Sequence, residues 1–532
     1  MMRAALPPLM DVVEEVLPED LRAELDLPDI GAALQMLHFP EDESQWQLAR
    51  RRFKLQELLV LQLAICFQRS QRIAQDDAPE CEPSGKIHSR ILNRIGLELT
   101  SDQLKAIDEI GHDMSQSIPM NRLLQGDVGS GKTIVAVYAM MLAVGNAHQA
   151  VMMAPTEVLA RQHYQTLSRI LAESRVNIVM LSGSLPSGER KETLAKVANG
   201  EIDLLVGTQA LLFGVEFKNL GLCVIDEQHR FGVRQRVTLR SGGIDPHYLV
   251  MSATPIPRSV AMTVFGDVEL STLREKPPGR AQVKTYLGRP EWRERWWTFV
   301  EQQLKEGRQA FVVAPRVDAA SSSDDESNED VSSVESVYEE LRQGVFRNRN
   351  VALLHGRLPN DEKQRIMSAF SDGEIDVLVS TTVIEVGIDV PNATVMTILG
   401  AQRFGLAQLH QLRGRVSRGG HTGHVCVFTD GQQAPEEFER LQVFENTDDG
   451  FELAEADFRL RGPGDVLGSK QSGLPPLRIA DVLRDTEILQ VAREIAQSLI
   501  DEDPDLSAPQ WEPLKKQLLR RYGKRLELGD VA

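Results

Sequence analysis

The sequence of 532 residues has a formal net charge of -18 at neutral pH, with 42% hydrophobic and 26% charged residues. At roughly 150 residues per domain, this length predicts three or four domains, each able to bury its own core. The charge excludes a protein coated in positive charge for indiscriminate binding of polyanions, so any nucleic-acid contact must be local.

The sequence also lacks the patterns of membrane and metal-binding proteins. No apolar run approaches the roughly 18 residues needed to cross a bilayer, and the opening MMRAALPPLMDVVEEVLPEDL is not typical of a signal peptide. We therefore expect a cytoplasmic protein with no membrane contact. The scattered cysteines, without a CxxC pair or histidines at metal-ligand spacing, predict buried thiols: Cys66, Cys81, Cys223 and Cys426.

The first hundred residues predict helices. In ESQWQLARRRFKLQELLVLQLAICFQRSQRIA, apolar residues recur at spacings of three and four, with basic residues between them. The pattern favours an amphipathic packing helix. The alternative is that its basic residues meet phosphates: Arg50, Arg51, Arg52 and Lys54.

From about Leu99 the sequence predicts two successive α/β sheets. Short apolar runs such as VMMAPT, LCVIDEQ and LVMSATP alternate with stretches of helix length, as in parallel sheets with crossover helices. After the Pro-rich REKPPGRAQ, runs such as AFVVAPR, DVLVSTT and HVCVFTD repeat the pattern. Between AFVVAPR and the next helix, the Ser- and acid-rich AASSSDDESNEDVSSVES predicts a solvated loop.

The segment GDVGSGKT, Gly126 to Thr133, predicts a phosphate-binding loop. It follows an apolar strand and leads into a helix, which disfavours a chance glycine-rich turn. Backbone N–H groups can surround an anion there, Lys132 can reach the β- and γ-phosphates, and Thr133 can bind magnesium.

Two carboxylates follow the apolar run Leu222 to Ile225. Asp226 can hold the magnesium ion, and Glu227 can orient and deprotonate the attacking water. Alone, such a pair is more typical of a helix N-cap or a solvated turn. The phosphate loop earlier in the chain reverses that preference.

A third candidate element lies in the second sheet region. In QLHQLRGRVSRGG, arginines are able to stabilise charge on a γ-phosphate, a contribution of about 10³ to 10⁵ in rate; they are Arg413, Arg415 and Arg418. The alternative is a basic surface segment. Because this segment and the phosphate loop belong to separate sheets, the nucleotide would be closed by two lobes that approach each other.

Taken together, the motifs resemble those of superfamily 2 helicases, and more narrowly those of the RecG family of DNA helicases. The resemblance rests on GDVGSGKT, APTEVLARQH, GTQALL, VIDEQHRFGVRQR, MSATPIPRSVA, LVSTTVIEVGIDVPNAT and QLHQLRGRVSRG. DFRLRGPGDVLGSKQSG, Asp457 to Gly473, resembles the element that the RecG family and the transcription-repair coupling factor share, which ties lobe closure to movement along duplex DNA.

The resemblance implies an α/β fold of two RecA-like parallel-sheet lobes between helical regions. The expected divisions are an N-terminal helical region at 1–95, an ATP-binding lobe 1 at 96–275, a lobe 2 at 276–435 and a translocation-coupling region at 436–532.

Site residues follow from the resemblance as well. Gln103 would read adenine, and Arg415 and Arg418 would complete the ATP site from lobe 2. ATP and Mg²⁺ would be bound and ATP cleaved by the phosphate loop and the acidic pair: Gly126, Asp127, Val128, Gly129, Ser130, Gly131, Lys132, Thr133, Asp226 and Glu227.

Further residues would couple the nucleotide to DNA. One set links nucleotide state to DNA grip: Gln228, His229, Ser252, Ala253 and Thr254. Hydroxyl groups that hold phosphates without reading sequence would come from Thr156, Thr208 and Thr381. Coupling candidates near the C-terminus are Arg459, Arg461, Lys470 and Gln471, for which a glycine-rich surface loop is the alternative.

The sequence departs from the family pattern in three places. Nothing before Leu99 supplies the short strands of the OB-fold wedge with which the family usually begins, so strand separation is expected to be affected. Ser417 stands where the family commonly has Gly, and IGLELT lacks the aromatic residue often found ahead of the adenine-reading Gln.

The expected function is that of an ATP-dependent DNA helicase or translocase acting on branched DNA in repair and recombination. Its partners would be duplex and branched DNA without sequence preference, together with replication-fork proteins, and the protein would be monomeric and near the bacterial nucleoid. The alternatives are a duplex translocase without unwinding and a non-hydrolysing, ATP-gated DNA scaffold.

Overall fold

The computed structural model describes residues 13–73, 77–183, 185–208, 214–227, 245–253, 268–277, 282–315, 326–381, 390–416, 420–430, 434–461, 477–482 and 484–523. The chain divides into two compact units. One comprises Met1–Asp76, Ile256–Glu269 and Phe458–Ala532, and the other comprises Asp77–Pro255 and Leu270–Asp457.

The α-helices of this part of the chain are α1 (Glu19–Glu24), α2 (Ile30–His38), α3 (Glu43–Ile73), α4 (Gly85–Ile95), α5 (Ser101–Met114), α6 (Lys132–Gly145), α7 (Glu157–Ile170), α8 (Ser187–Asn199), α9 (Arg293–Lys305), α10 (Glu326–Gln343), α11 (Asn360–Ser371), α12 (Leu406–Arg413), α13 (Glu439–Asn446), α14 (Gly450–Arg461), α15 (Thr486–Glu502) and α16 (Glu512–Leu518).

The β-strands are β1 (Asn121–Gly126), β2 (Gln149–Ala154), β3 (Ile178–Leu181), β4 (Leu204–Thr208), β5 (Leu220–Asp226), β6 (His247–Ser252), β7 (Glu269–Leu273), β8 (Val283–Gly288), β9 (Gln309–Val313), β10 (Val351–Leu354), β11 (Val377–Ser380), β12 (Ala393–Ile398) and β13 (Gly423–Phe428).

Within the first unit, helix α3 packs against α15 and α16 around a shared apolar core. Two of the basic residues of α3 serve this packing. Arg52 is fully buried and donates to Pro28 O at 2.9 Å, while Lys54 Nζ lies 2.5 Å from Asp485 Oδ1. For these two residues the packing interpretation holds, since their charged groups are occupied within the unit.

The second unit contains both sheets. The seven-stranded sheet of lobe 1 has the order β3-β4-β2-β5-β6-β1-β7, and its strands β1 to β6 pair in parallel. The six-stranded sheet of lobe 2 has the order β10-β11-β9-β12-β13-β8, with every neighbouring pair parallel. The predicted α/β fold with two parallel-sheet lobes is therefore confirmed, while the boundaries of the four domains stay predictions.

The acidic segment after β9 corrects one prediction. The sequence predicts a solvated loop over AASSSDDESNEDVSSVES, but helix α10 begins at Glu326, inside that segment. Val334 and Leu341 of this helix are buried against lobe 2, with Tyr338 packed beside them. Apolar residues at helical spacing therefore outweigh the acidic composition once a sheet is present to cover them.

The thiol prediction is confirmed, since all four cysteines are free and buried. Burial raises the pKa of Cys81 and Cys223 to about 12, and it also raises the pKa of Cys66 and Cys426. In the part of the chain that the structure describes, no helix is long and apolar enough to span a membrane.

Candidate active site

The phosphate loop joins the end of β1 to the start of α6. Gly131 is the N-cap of α6 and has φ of 86°, a left-handed conformation that favours glycine. A Cβ at this position would also lie 2.2 Å from Gln103 Nε2. Glycine is therefore required here for both backbone conformation and space, and the loop presents the first backbone N–H groups of α6 at a helix N-terminus.

Gln103 supports this loop from helix α5. Its Oε1 accepts from Thr100 N at 3.0 Å, which completes a capping box, and its Nε2 donates to Ser130 O at 2.9 Å. The side chain is almost completely buried. Gln103 thus links the start of α5 to the phosphate loop, and its role in reading adenine stays a prediction.

Lys132 and Ser130 are the polar side chains of the loop interior. Lys132 Nζ donates to Gly126 O at 2.8 Å and to Asp127 O at 2.9 Å, so the ammonium group lies inside the curve of the loop. Ser130 Oγ is buried and makes no hydrogen bond to the described part of the chain. Thr133, the next residue after Lys132, is half-buried.

The acidic pair lies at the same edge of the sheet as the phosphate loop. The register aligns Asp226 with Met251 and Ser252 with Gln125, so the carboxyl ends of β5, β6 and β1 are level. Asp226 Oδ2 lies 2.8 Å from Nε2 of His163, which α7 places there. Parallel strands are about 4.8 Å apart, which leaves Asp226 roughly 10 Å across the sheet from the loop.

Glu227 has an uncommon backbone conformation. Its φ of 58° lies in the left-handed region, which glutamate adopts rarely, and its N–H donates to Met251 O at 3.0 Å. Strain of this kind costs about 1–3 kcal/mol and is concentrated at functional sites. The predicted catalytic base therefore has a strained backbone conformation directly after the end of β5.

Lobe 2 approaches the phosphate loop through the segment that follows β12. His410 Nε2, in α12, lies 2.5 Å from Asp127 Oδ1. A Cβ on Gly414 would lie 2.8 Å from the Cβ of Val128. Burial alone would raise the pKa of Asp127, but the hydrogen bond from His410 and the nearby Lys276 lower it to about 2. The two lobes are therefore in direct contact at the loop.

Of the three predicted lobe 2 arginines, the structure describes Arg413 and Arg415. Arg415 is buried one residue after Gly414 in the chain, and its N–H donates to Leu412 O at 2.9 Å. Arg413 is also buried and contacts His410, Phe444 O and Asp448. Arg418 and Ser417 lie outside the described residues.

A magnesium ion suits the residues at this edge. No group of three or more His, Cys, Asp or Glu that could hold a metal occurs within the described ranges. Mg²⁺ is normally bound by one or two carboxylates together with substrate phosphates and water. Asp226 and the Thr133 hydroxyl supply oxygen ligands of that type.

The predicted DNA-facing and coupling residues are scattered over several elements. Thr156 is the N-cap of α7, Thr208 ends β4, and Thr381 follows β11 and is buried. Ser252 ends β6, and half-buried Ala253 follows it. Arg459 is exposed on α14. Outside the described side chains lie Gln228, His229, Thr254, Arg461, Lys470 and Gln471.

Sequence reasoning missed two histidine contacts, His163 with Asp226 and His410 with Asp127. Both histidines lie within segments already singled out, APTEVLARQH and QLHQLRGRVSRG. Helical spacing could have placed them on a buried face. It could not have identified their carboxylate partners, since these are 63 and 283 residues away in the chain.

Comparison with known proteins agrees with this architecture. Family profiles match residues 100–263 as DEAD/DEAH box helicase, residues 297–420 as Helicase conserved C-terminal domain, and residues 447–527 as ATP-dependent DNA helicase RecG, domain 3, C-terminal. An ATP-dependent DNA helicase RecG of Bacillus subtilis is 44% identical over 520 residues, covering 97% of this chain and 75% of that protein. The chain belongs to the RecG family.

Other members of the RecG family give the same result. The ATP-dependent DNA helicase RecG of Synechocystis is 42% identical over 97% of this chain. A solved structure of RecG bound to a three-way DNA junction is similar with a TM-score of 0.72 and 40% identity, over 92% of this chain. The chain spans 61% of the Synechocystis protein and 63% of the chain in that structure.

Proposed function

We propose that this chain is an ATP-dependent DNA motor of the RecG type, a helicase or translocase that acts on branched DNA. The observation that carries the proposal is the contact of the two lobes at the phosphate loop, where Asp127 meets His410 and Val128 meets Gly414. Such an arrangement suits a nucleotide that is bound by one lobe and completed by the other, so that hydrolysis changes the distance between the lobes.

The ATP chemistry would be divided among the site residues as follows. The backbone N–H groups of the loop and Lys132 hold the phosphates, for which Lys132 exchanges its contacts with Gly126 O and Asp127 O for phosphate oxygens. Glu227 orients and deprotonates the attacking water. Arg415, and by the family pattern Arg418, stabilise the charge that develops on the γ-phosphate.

Magnesium would be held by Thr133 and Asp226. When bound, it neutralises charge on the phosphate oxygens. His163 would orient the Asp226 carboxylate through the 2.8 Å contact with Oδ2, which leaves Oδ1 for the ion.

DNA would be held through its backbone and without sequence preference. Thr156, Thr208 and Thr381 follow or end strands of the two lobes and offer hydroxyl groups of the type that bind phosphates. Support for a branched substrate comes from the relatives, one of which was solved on a three-way DNA junction. We also propose that the protein works as a monomer, because one chain supplies both lobes. We further propose that it works alongside replication-fork proteins at the nucleoid.

The first test is ATP hydrolysis by the purified chain with no DNA, single-stranded DNA, linear duplex and a model fork, together with fork unwinding. Lys132→Ala is the control for the phosphate loop. We expect the fork to stimulate hydrolysis most and to be unwound, and we expect Lys132→Ala to abolish both.

Other outcomes would change the proposal in defined ways. Stimulation by linear duplex without unwinding would make the chain a duplex translocase. Binding of ATP and DNA without hydrolysis would make it an ATP-gated scaffold, and the absence of any Lys132-dependent hydrolysis would refute the motor.

A further inference from the structure

A buried chain of hydrogen bonds crosses from lobe 2 to the phosphate loop, and we call it the relay: Arg413, His410 and Asp127. Arg413 Nη2 lies 2.9 Å from His410 Nδ1, and His410 Nε2 lies 2.5 Å from Asp127 Oδ1. All three side chains are at most 10% exposed. The relay is therefore shielded from solvent, where hydrogen bonds are strong and unpaired polar groups are costly.

The chemistry of the partners fixes the direction of each bond. A guanidinium group only donates, so His410 Nδ1 must accept from Arg413. The proton of the neutral ring is then on Nε2, from which it is donated to the Asp127 carboxylate. The Asp127 Oδ1 atom accepts a second bond from Val128 N at 2.6 Å, so the same oxygen joins the relay to the loop backbone.

The lobe 2 end of the relay is also fixed. Arg413 Nη1 donates to Phe444 O at 2.9 Å, contacts Asp448 Oδ1 at 3.3 Å, and the guanidinium lies 4.6 Å from the Phe444 ring. Helix α12, which carries His410 and Arg413, is thus held by α13. The relay consequently connects helix α12 of lobe 2 to the backbone of the phosphate loop.

The relay adjoins the groups assigned to ATP chemistry, and its Asp127 is itself part of the phosphate loop. Arg415 follows Arg413 by two residues, and Lys132 Nζ bonds to the carbonyl oxygen of Asp127. A shift of His410 relative to Asp127 would therefore change the placement of Arg415 relative to Lys132. Misplacement of reacting groups by about 1 Å can reduce rates by roughly 100-fold.

We propose that Asp127 and His410 are positioning residues, which set the approach of lobe 2 to the phosphate loop and so place Arg415 for catalysis. This inference rests on the proposed ATPase function and adds to it the residues that register the lobes. Nucleotide binding by lobe 1 alone does not require the relay. Loss of the relay should accordingly reduce turnover far more than nucleotide affinity.

Substitutions of His410 can separate positioning from simple packing. Leu fills similar space but neither accepts nor donates, whereas Gln can accept from Arg413 through Oε1 and donate to Asp127 through Nε2. We expect His410→Leu to lower kcat by about 10- to 100-fold, with less than about a twofold change in the Kd of a fluorescent ATP analogue. His410→Gln should recover most of the rate.

Replacing Asp127 tests the other end of the His410 contact, and an exposed carboxylate on lobe 1 provides the control for the loss of charge. Asp127→Ala should reproduce the loss seen with His410→Leu, because it removes the acceptor. Glu192→Gln, in an exposed pair with Lys196, should leave kcat unchanged.

A second readout does not depend on hydrolysis. Because the four native cysteines are buried, Glu189→Cys on α8 and Glu335→Cys on α10, both exposed, can be labelled selectively to report the distance between the lobes. We expect a narrow distance distribution in the parent and in His410→Gln, and a broader one in His410→Leu and Asp127→Ala.

The two readouts distinguish failure of the inference from failure of the proposed function. If His410→Leu keeps the parent distance distribution, or if Leu and Gln variants are equally impaired, the relay does not register the lobes. If the parent does not hydrolyse ATP, the ATPase proposal fails, and unchanged distances in His410→Leu would then overturn the inference independently.

Discussion

At the scale of single residues, Gly414 at the contact between the lobes is a position where the surroundings leave no space for a side chain. Gly414 has helical backbone angles, φ of -65° and ψ of -9°, so its conformation would accept other residues. What excludes a side chain there is Val128 of the other lobe, whose two methyl groups would lie 3.0 Å from a Cβ. The glycine is therefore required for the approach of the lobes and not for the shape of its own loop.

Replacing Gly414 by Ala should impair hydrolysis without unfolding the protein. Because the added methyl group pushes Val128 away, we expect the ATPase rate to fall by about tenfold while the thermal midpoint stays within about 2 °C. Steady-state hydrolysis and circular dichroism measure the two quantities. Gly188→Ala is the matched control, since a Cβ there would meet open space, and equal rates in the two variants would contradict the prediction.

His247 makes the stability of lobe 1 depend on pH. Its buried ring accepts from Met120 N at 3.0 Å and pairs with Pro79 O at 2.8 Å, and burial lowers its pKa to about 4. The unfolded chain, with a histidine pKa of about 6.5, binds this proton more readily than the folded chain. The contribution of the neutral His247 ring to the free energy of unfolding is therefore complete above about pH 6.5, and it is lost as the pH falls toward 4.

Because of His247, the free energy of unfolding should be about 2 kcal/mol lower at pH 5 than at pH 7.5. Denaturant unfolding of the parent and of His247→Gln at both pH values measures it, because Gln can keep both hydrogen bonds but does not titrate. A parent and variant that lose the same stability on acidification would show that another group is responsible.

At the scale of elements, each lobe has a glutamine at the start of a central strand that makes the same kind of hydrogen bonds. Gln149 begins β2 and donates through Nε2 to Val197 O and Ile202 O, and Gln309 begins β9 and donates to Phe370 O and Ile375 O. In both lobes this amide ties the end of a helix and the following turn to a central strand. The similarity extends to NGEIDLLVGT and DGEIDVLVST, which end in the candidate residues Thr208 and Thr381.

Gln149→Leu should destabilise lobe 1 by about 3 kcal/mol. The buried amide also accepts from Lys218 N and Asn219 N, so the substitution leaves two carbonyl groups and two N–H groups without this partner. Urea unfolding checks the value, with exposed Gln490→Leu on α15 as the control. A loss below about 1 kcal/mol would mean that water replaces the amide.

Glu57 anchors the segment that follows the predicted coupling element in the chain. Its buried carboxylate accepts from the backbone N–H groups of Arg478, Ile479 and Ala480 at 2.9 to 3.0 Å and from Arg521 Nη2 at 2.5 Å. Burial opposes its ionisation, but these donors outweigh it and lower the pKa. The stabilisation is present above about pH 4.5 and is lost as the pH falls through the lowered value.

Glu57→Gln should release this segment. An amide has one acceptor oxygen in place of two, and its N–H₂ group would face other donors, so we expect a loss of about 1–3 kcal/mol. Hydrogen exchange at residues 478–480 should accelerate, whereas exposed Glu494→Gln should leave it unchanged. Equal protection in the two variants would argue against the anchor.

At the scale of the whole molecule, the net charge of -18 opposes binding to DNA unless basic groups are concentrated locally. Several arginines and lysines are occupied inside the protein, among them Arg52, Lys54 and Arg122. DNA contact therefore depends on a limited number of phosphate contacts.

The affinity for DNA should accordingly depend strongly on salt. With about four phosphate contacts, it should fall roughly 100-fold between about 50 and 200 mM salt, since each contact releases counterions. The DNA concentration for half-maximal ATPase stimulation measures this, and the rate at saturating DNA should change little. A salt-independent affinity would exclude a phosphate-backbone mode of binding.

The sequence by itself determined the two-sheet fold and the local motifs, because buried strands, a glycine-rich loop and carboxylates at strand ends are properties of short segments. The solvated loop predicted from composition was wrong from Glu326 onward, where α10 begins. Acidic residues do not prevent a helix that buries Val334 and Leu341. Only the tertiary structure showed which distant groups meet, such as His163 with Asp226 and His410 with Asp127. Those contacts depend on how helices pack on the sheets and how the lobes approach, which no local pattern encodes.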